Sequence, residues 1–265
     1  MTEIICNPNV TTLQRRPDSR TGPGAWKASS LLSASLFLAV HAGAQSIVVP
    51  NGSFENPTPP PGYPATPQID AWQKPPQPDG LPLPPGITWE QLSGVFPNTA
   101  AGSADHIDNV TGNQAAYLFA IPGVGLSQGV GATFEVGRSY ALSVGALGGG
   151  GITEGSTLQL GLFYLDAGNA LSPVMVTPIT YTAAAFPNST HLIEFQALSS
   201  AVAAGDPWAG KQIEVGLFSS SGTGSGYWDV DNVRLSVVPE PGTLTLAAAG
   251  ICGLLAVTRR AVRRA

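Results

Sequence analysis

The chain has 265 residues, 43% of them apolar and only 11% charged, with a formal net charge of −5, so it is too apolar for a disordered chain and long enough for one large domain or two small ones. Thirty-two glycines and twenty-four prolines beside few Lys and Glu argue against helices and for short strands joined by turns. Between Gln45 and Val238 about fourteen acids face the four bases Lys74, Arg138, Lys211 and Arg234, and this roughly −10 stretch offers no basic face to nucleic acid.

Residues 1–44 read as a leader. Lys27 precedes the apolar run 28–40, and Ala42-Gly43-Ala44 follows in the small-x-small pattern that signal peptidase accepts. The run is too short to span a bilayer, so the expected mature chain starts at Gln45. Cys6 falls in the leader and Cys252 near the other end, which leaves the body, 45–237, without cysteine. Disulfides, thiol nucleophiles and Cys zinc sites are excluded there.

The body opens on "VVPNGSFENP" and enters a proline-rich segment, 56–86, which cannot pair as a central strand and is expected to run extended over the surface. Its rings Tyr63 and Trp72, with Trp89 just beyond, leave two readings open: they pack the segment onto the body, or they form a platform that stacks on sugars. In "ADHIDN", His106 between Asp105 and Asp108 is either a metal ligand or part of a solvated loop. Gly125-Leu126-Ser127-Gln128-Gly129 matches the nucleophile-elbow pattern, with Asp166 and His191 following in hydrolase order. That elbow needs a helix after it, and the sequence suggests a glycine-rich hairpin instead. Paired carboxylates for glycoside hydrolysis cannot be picked out by spacing, because they meet only in the fold.

Three stretches alternate as half-buried strands. "SYALSVGAL" puts Tyr140, Leu142, Val144 and Ala146 on one face, "TLQLGLFYL" does so with Leu158, Leu160, Leu162 and Tyr164, and "QIEVGLF" with Ile213, Val215 and Leu217. Turn compositions at 148–151, 166–169 and 219–226 separate them. The spacing fits an all-β fold, an antiparallel sandwich of jelly-roll type. In the closing "GYWDVDNVRLSVV", Trp228 and Val230 share one parity while Val233, Leu235 and Val237 share the other, which predicts a β-bulge near Asp231-Asn232.

The end of the chain, 238–265, has three ordered parts: Pro239-Glu240-Pro241, an apolar segment 242–258, and a basic tail 259–265 with Arg259 and Arg260. Sixteen or so apolar residues make a helix of roughly 24 Å, near the bilayer's hydrocarbon thickness, and the arginines would hold its end in the cytoplasm. The arrangement resembles the PEP-CTERM sorting signal of Gram-negative bacteria. The resemblance implies a transient inner-membrane anchor, an exosortase as processing partner, and a destination at the cell surface or in an exopolysaccharide matrix.

The bracketing stretches resemble the first and last strands of galactose-binding-like jelly rolls, matched at Asn51 to Glu55 and at Asp231 to Leu235. That resemblance implies a carbohydrate-binding-module-like body. It also implies a structural calcium linking the two strands, with Glu55 and Asp231 supplying the hard oxygens it needs. The sequence thus leads to a non-catalytic structural protein of the cell surface or matrix. The alternative is a module that recognises a polysaccharide, and a secreted hydrolase is the third reading.

Overall fold

The computed structural model describes residues 44–83, 85–222 and 225–238. The leader, Ala42 of the cleavage motif, Pro239-Glu240-Pro241, the apolar segment and Arg259-Arg260 lie outside the described residues. Among those described, no helix is long and apolar enough to cross a membrane.

Ten strands form two antiparallel sheets: β1 (Gln45–Ile47), β2 (Ser93–Pro97), β3 (Gln114–Phe119), β4 (Gly125–Thr133), β5 (Ser139–Gly149), β6 (Thr157–Leu165), β7 (Leu171–Thr180), β8 (Ile193–Leu198), β9 (Gln212–Ser221) and β10 (Tyr227–Val238). The first sheet runs β2-β3-β10-β5-β8 with β1 on the far half of β10; the second runs β4-β9-β6-β7. Successive strands from β3 to β6 alternate between sheets, so each connection crosses the sandwich and stitches its two layers together. The hairpin of β6 and β7 within the second sheet turns at Asp166, whose Oδ1 accepts the amides of Gly168 (2.8 Å) and Ala170 (3.0 Å). Asn169 takes the positive φ of 66° that this turn needs.

The core lies between the sheets and is built from the expected parities. Leu142, Val144, Leu158, Leu160, Leu162, Val215 and Leu217 are fully buried. Each such side chain stabilises the fold by about 1.5–3 kcal/mol relative to exposure. The parity switch on β10 is present as a bulge: the pairing with β5 shifts between Asp231 and Arg234, and Asn232 sits at φ 60°. Trp228 and Val230 point into the core before it, Val233 and Leu235 after it.

The proline-rich segment is a strap across the open side of the sandwich. Thr66 bridges Val95 on β2, the edge of the first sheet, and Gln73 bridges Ser127 on β4, the edge of the second. Both bridges exchange two backbone hydrogen bonds of 2.7–2.9 Å. The strap therefore covers two edges that would otherwise offer unpaired backbone. Trp72 and Trp89 fasten it from beneath. Trp72 stacks on Phe54 with ring centroids 5.2 Å apart and donates Nε1–H to Asn51 O, while Trp89 donates to Pro75 O.

Candidate active site

Inward residues of β10 alternate with a second row on its outer face, and that row holds the chemistry. Tyr227 and Asp229 share the face opposite Trp228 and Val230. On one side Tyr227 pairs with Phe119 and Asp229 with Tyr117 of β3; on the other they pair with Gly149 and Leu147 of β5. "AYLF" of β3 thus places both of its outward rings beside β10. Tyr117, Phe119 and Tyr227 run side by side with centroids 6.1 Å apart at each step.

Loops roof this face and turn it into a cavity of about 480 Å³. Ala65 of the strap, Thr99, Ala104, Asp105 and Ile107 of the β2–β3 connection, and Ser189 close over the rings. Glycines shape the wall on the β5 side. A Cβ on Gly149 would stand 2.6 Å from the Tyr227 ring and 3.3 Å from Asp229 Oδ2, and Gly150 adopts φ 59° against the same ring. Only glycine at 149 and 150 lets the Tyr227 ring lie this close to the backbone.

Asp229 is the polar centre of this apolar chamber. It is 7% exposed, its Oδ1 has no partner among the described residues, and no cation lies beside it. Burial pushes its carboxyl up to about 8. At neutral pH Asp229 is therefore mostly the protonated acid, a donor held in a low-dielectric pocket. Burial also raises the Tyr227 phenol, with Asp229 and then Asp105 adding to the effect.

Asp231, two residues on, lies just before the bulge. Its Oδ2 accepts the Thr111 amide at 2.7 Å, and its buried Oδ1 has no partner among the described residues. Its carboxyl is pushed up to about 7, by burial first and by nearby Glu55 among lesser causes. Glu55 accepts the amides of Asn113 (3.0 Å) and Gln114 (2.9 Å), so both carboxylates grip the 111–114 turn. Two close carboxylates with one orphaned oxygen suit a hard cation such as calcium. Among the described residues no group of three or more His, Cys, Asp and Glu is gathered, so further ligands would be carbonyls and water.

The other sequence candidates fall elsewhere. Trp72 (6% exposed) and Trp89 (9%) are buried under the strap, so neither offers a face to a sugar; Tyr63, at 67%, is exposed alone. The sugar platform is thus corrected to a packing role, because the strap's edge pairing pulls both indoles inward. Gly125 to Gly129 lies within β4 rather than in a hairpin or an elbow, and Ser127 pairs with Gly216 of β9. His106 places Nδ1 2.6 Å from Thr99 O, a loop contact. Ala44 lies just before β1. Sequence reasoning missed Asp229, Tyr227, Tyr117 and Phe119. The available signal was a carboxylate alternating with core residues on a strand beside a second strand of outward rings.

Solved structures with the same fold include a cyclase from Fischerella sp. TAU, 22% identical, TM-score 0.57, covering 74% of this chain and 98% of that one. A Stig cyclase from the same source, in complex with (3Z)-3-(1-methyl-2-pyrrolidinylidene)-3H-indole, is 23% identical with a TM-score of 0.56, covering 74% and 98%. A further Fischerella cyclase in complex with 4-(1H-indol-3-yl)butan-2-one is 22% identical with a TM-score of 0.55, covering 73% and 98%. No curated protein sequence matches the chain. The HpiC1-like family, described as HpiC1 cyclase, matches residues 45–236, which is nearly the whole sandwich. This overturns the expectation of a non-catalytic surface or matrix protein, which rested on the sorting tail, and with it the polysaccharide-recognition alternative, which rested on the bracketing strands and on Tyr63, Trp72 and Trp89; neither read the chamber between β3, β10 and β5. With that chamber and that match, the chain belongs to the HpiC1-like cyclase family.

Proposed function

We propose that the aromatic chamber is the active site of an acid-catalysed cyclase and that Asp229 is its proton donor, acting on an apolar substrate of indole type. The observation that carries this reading is a carboxyl buried beside three rings and a glycine wall, with one oxygen unpartnered and no cation beside it among the described residues. The Asp229 O–H passes its proton to an electron-rich carbon of the substrate, leaving a carboxylate and a substrate cation. The ring faces of Tyr117, Phe119 and Tyr227 stabilise that cation, each contact contributing about 0.5–2 kcal/mol. A π electron pair elsewhere in the substrate then forms the new carbon–carbon bond. Loss of a proton from the closed ring to the Asp229 carboxylate restores the acid, so the net change is an isomerisation. The indole ligands held by the Fischerella cyclases have the apolar, planar character this chamber accommodates. Incubation of the purified body with 3-alkenylindoles, followed by chromatography and mass spectrometry, tests the reading. A cyclised isomer from wild type and none from Asp229→Asn is the supporting result.

A structural calcium belongs to the same proposal. Glu55 and Asp231 would hold it, with carbonyls and water, and it would supply rigidity where β10 kinks beside the acid. Export belongs to it as well: signal peptidase would release the chain at Ala42-Gly43-Ala44. Exosortase would act at Pro239-Glu240-Pro241, placing the enzyme at the surface of a Gram-negative cell after a stay in the inner membrane. The ordered motif, apolar segment and arginines of the tail support this. Intact-mass analysis of surface material that recovers Arg259 and Arg260 in the mature protein would refute it.

A further inference from the structure

The other face of the sandwich has a cavity of its own, about 690 Å³, between strap residues 71–76 and the outer face of the second sheet. At its floor Gly129 of β4 pairs with Glu214 of β9, and Glu214 also stands across from Phe163 of β6. Ile213 and Val215 point into the core, so Glu214 is turned the opposite way, toward the strap. It is 8% exposed, and no hydrogen bond or ion pair reaches its carboxylate among the described residues.

Lys74 lines the same cavity without answering that charge. Its ammonium donates to the Glu90 and Ser93 carbonyls and lies 3.9 Å from the Glu90 carboxylate. Among the described residues Glu214 is thus a carboxylate without a counter-ion whose oxygens face the cavity, and partial burial raises its carboxyl above the usual range. A ligand that brings a positive N–H donor would replace cavity water with a charge-assisted hydrogen bond. A divalent metal is a poor candidate, since among the described residues no cluster of acidic or imidazole ligands gathers here. The remaining walls decide the ligand's shape. Pro75, Pro76, Leu165 and Leu171 are apolar, while Ser127 and Gln212 add polar groups to the lining.

We propose that this cavity binds an organic ammonium ion with an apolar body, its N–H donating to Glu214 and its hydrocarbon lying against Pro75, Pro76, Leu165 and Leu171. The inference is independent of the chamber around Asp229 and stands on a different sheet.

Calorimetric titration with phenethylamine tests it, using the Asp229→Asn body so that the first chamber's carboxyl cannot contribute. The amine is expected to bind at least ten-fold more tightly than 2-phenylethanol, its neutral counterpart. Glu214→Gln should reduce amine affinity at least ten-fold and leave the alcohol unchanged. If Glu214→Gln fails to fold, Glu214→Asp decides the matter: it keeps the charge but withdraws it by one methylene, and should weaken the amine while leaving the alcohol unchanged. Equal affinity for amine and alcohol, amine affinity unchanged in the folded variants, or no binding of the amine overturns the proposal.

Discussion

Gly149 leaves open a position from which a side chain would meet both Asp229 and Tyr227: a Cβ there would stand 3.3 Å from Asp229 Oδ2 and 2.6 Å from the tyrosine ring. The space next to the acid is therefore set by the absence of a side chain on the neighbouring strand. Gly149→Ala is expected to push the Tyr227 ring into the chamber. Turnover should fall at least ten-fold, with a melting loss of only a few degrees. Steady-state kinetics beside a thermal melt checks this, and an alanine variant with unchanged turnover would remove Gly149 from the site.

Asp229→Asn keeps the shape and removes the transferable proton. General acid catalysis contributes about 10²–10⁴-fold, so turnover should fall by that factor. The fold should hold, because at neutral pH one neutral polar group is replaced by another of the same shape. Turnover and urea denaturation measured on one preparation separate the two effects.

The pH dependence follows from the same carboxyl. Its folded-state value, about 8, lies above the ordinary 3.8, so the folded protein binds more protons than the unfolded chain between those values. Asp229's contribution to stability is therefore fully present below about pH 4 and is lost progressively up to about pH 8. Activity that needs the protonated form should persist through neutrality and fall as pH rises through about 8. A calcium ion at Asp231 would favour the charged form and draw that midpoint downward, so the profile is best recorded with and without chelator.

Calcium at Glu55 and Asp231 would bind the folded state alone. At a hundred times its dissociation constant it should add about 2.7 kcal/mol, a shift readily seen in melting. Asp231→Ala should abolish the response to calcium. A melting temperature indifferent to chelator in wild type would dismiss the site.

Much of the fold was legible in the sequence because each β-strand that faces one core carries a period of two. Leu158, Leu160 and Leu162 could be placed inward from their spacing, and the switch from Trp228 and Val230 to Val233 and Leu235 foretold the bulge. The chamber was not legible for the same reason. Asp229 falls on the parity that reads as solvent, and its burial comes from roof residues such as Ala65, Ile107 and Ser189, far away in sequence. Trp72 and Trp89 left two readings open in the sequence, packing or a sugar platform. The bridges Thr66–Val95 and Gln73–Ser127 bind the strap to two sheet edges, and both indoles are buried, which decides for packing.

A packing role for Trp72 has its own consequence. Trp72→Ala should cost about 3–5 kcal/mol through the cavity left against Phe54, as measured by denaturant unfolding. A loss below about 1 kcal/mol would mean the strap is not held by this ring.

The most direct test of the account is cyclisation in deuterium oxide. Wild type and Asp229→Asn are incubated with 3-alkenylindoles, and the products are analysed by mass spectrometry and NMR. The expected result is a cyclised isomer from wild type carrying one non-exchangeable deuterium at the carbon that accepted the Asp229 proton, and no such product from Asp229→Asn. Cyclised product formed equally well by both proteins, or formed by wild type without deuterium, would contradict Asp229 as the proton donor.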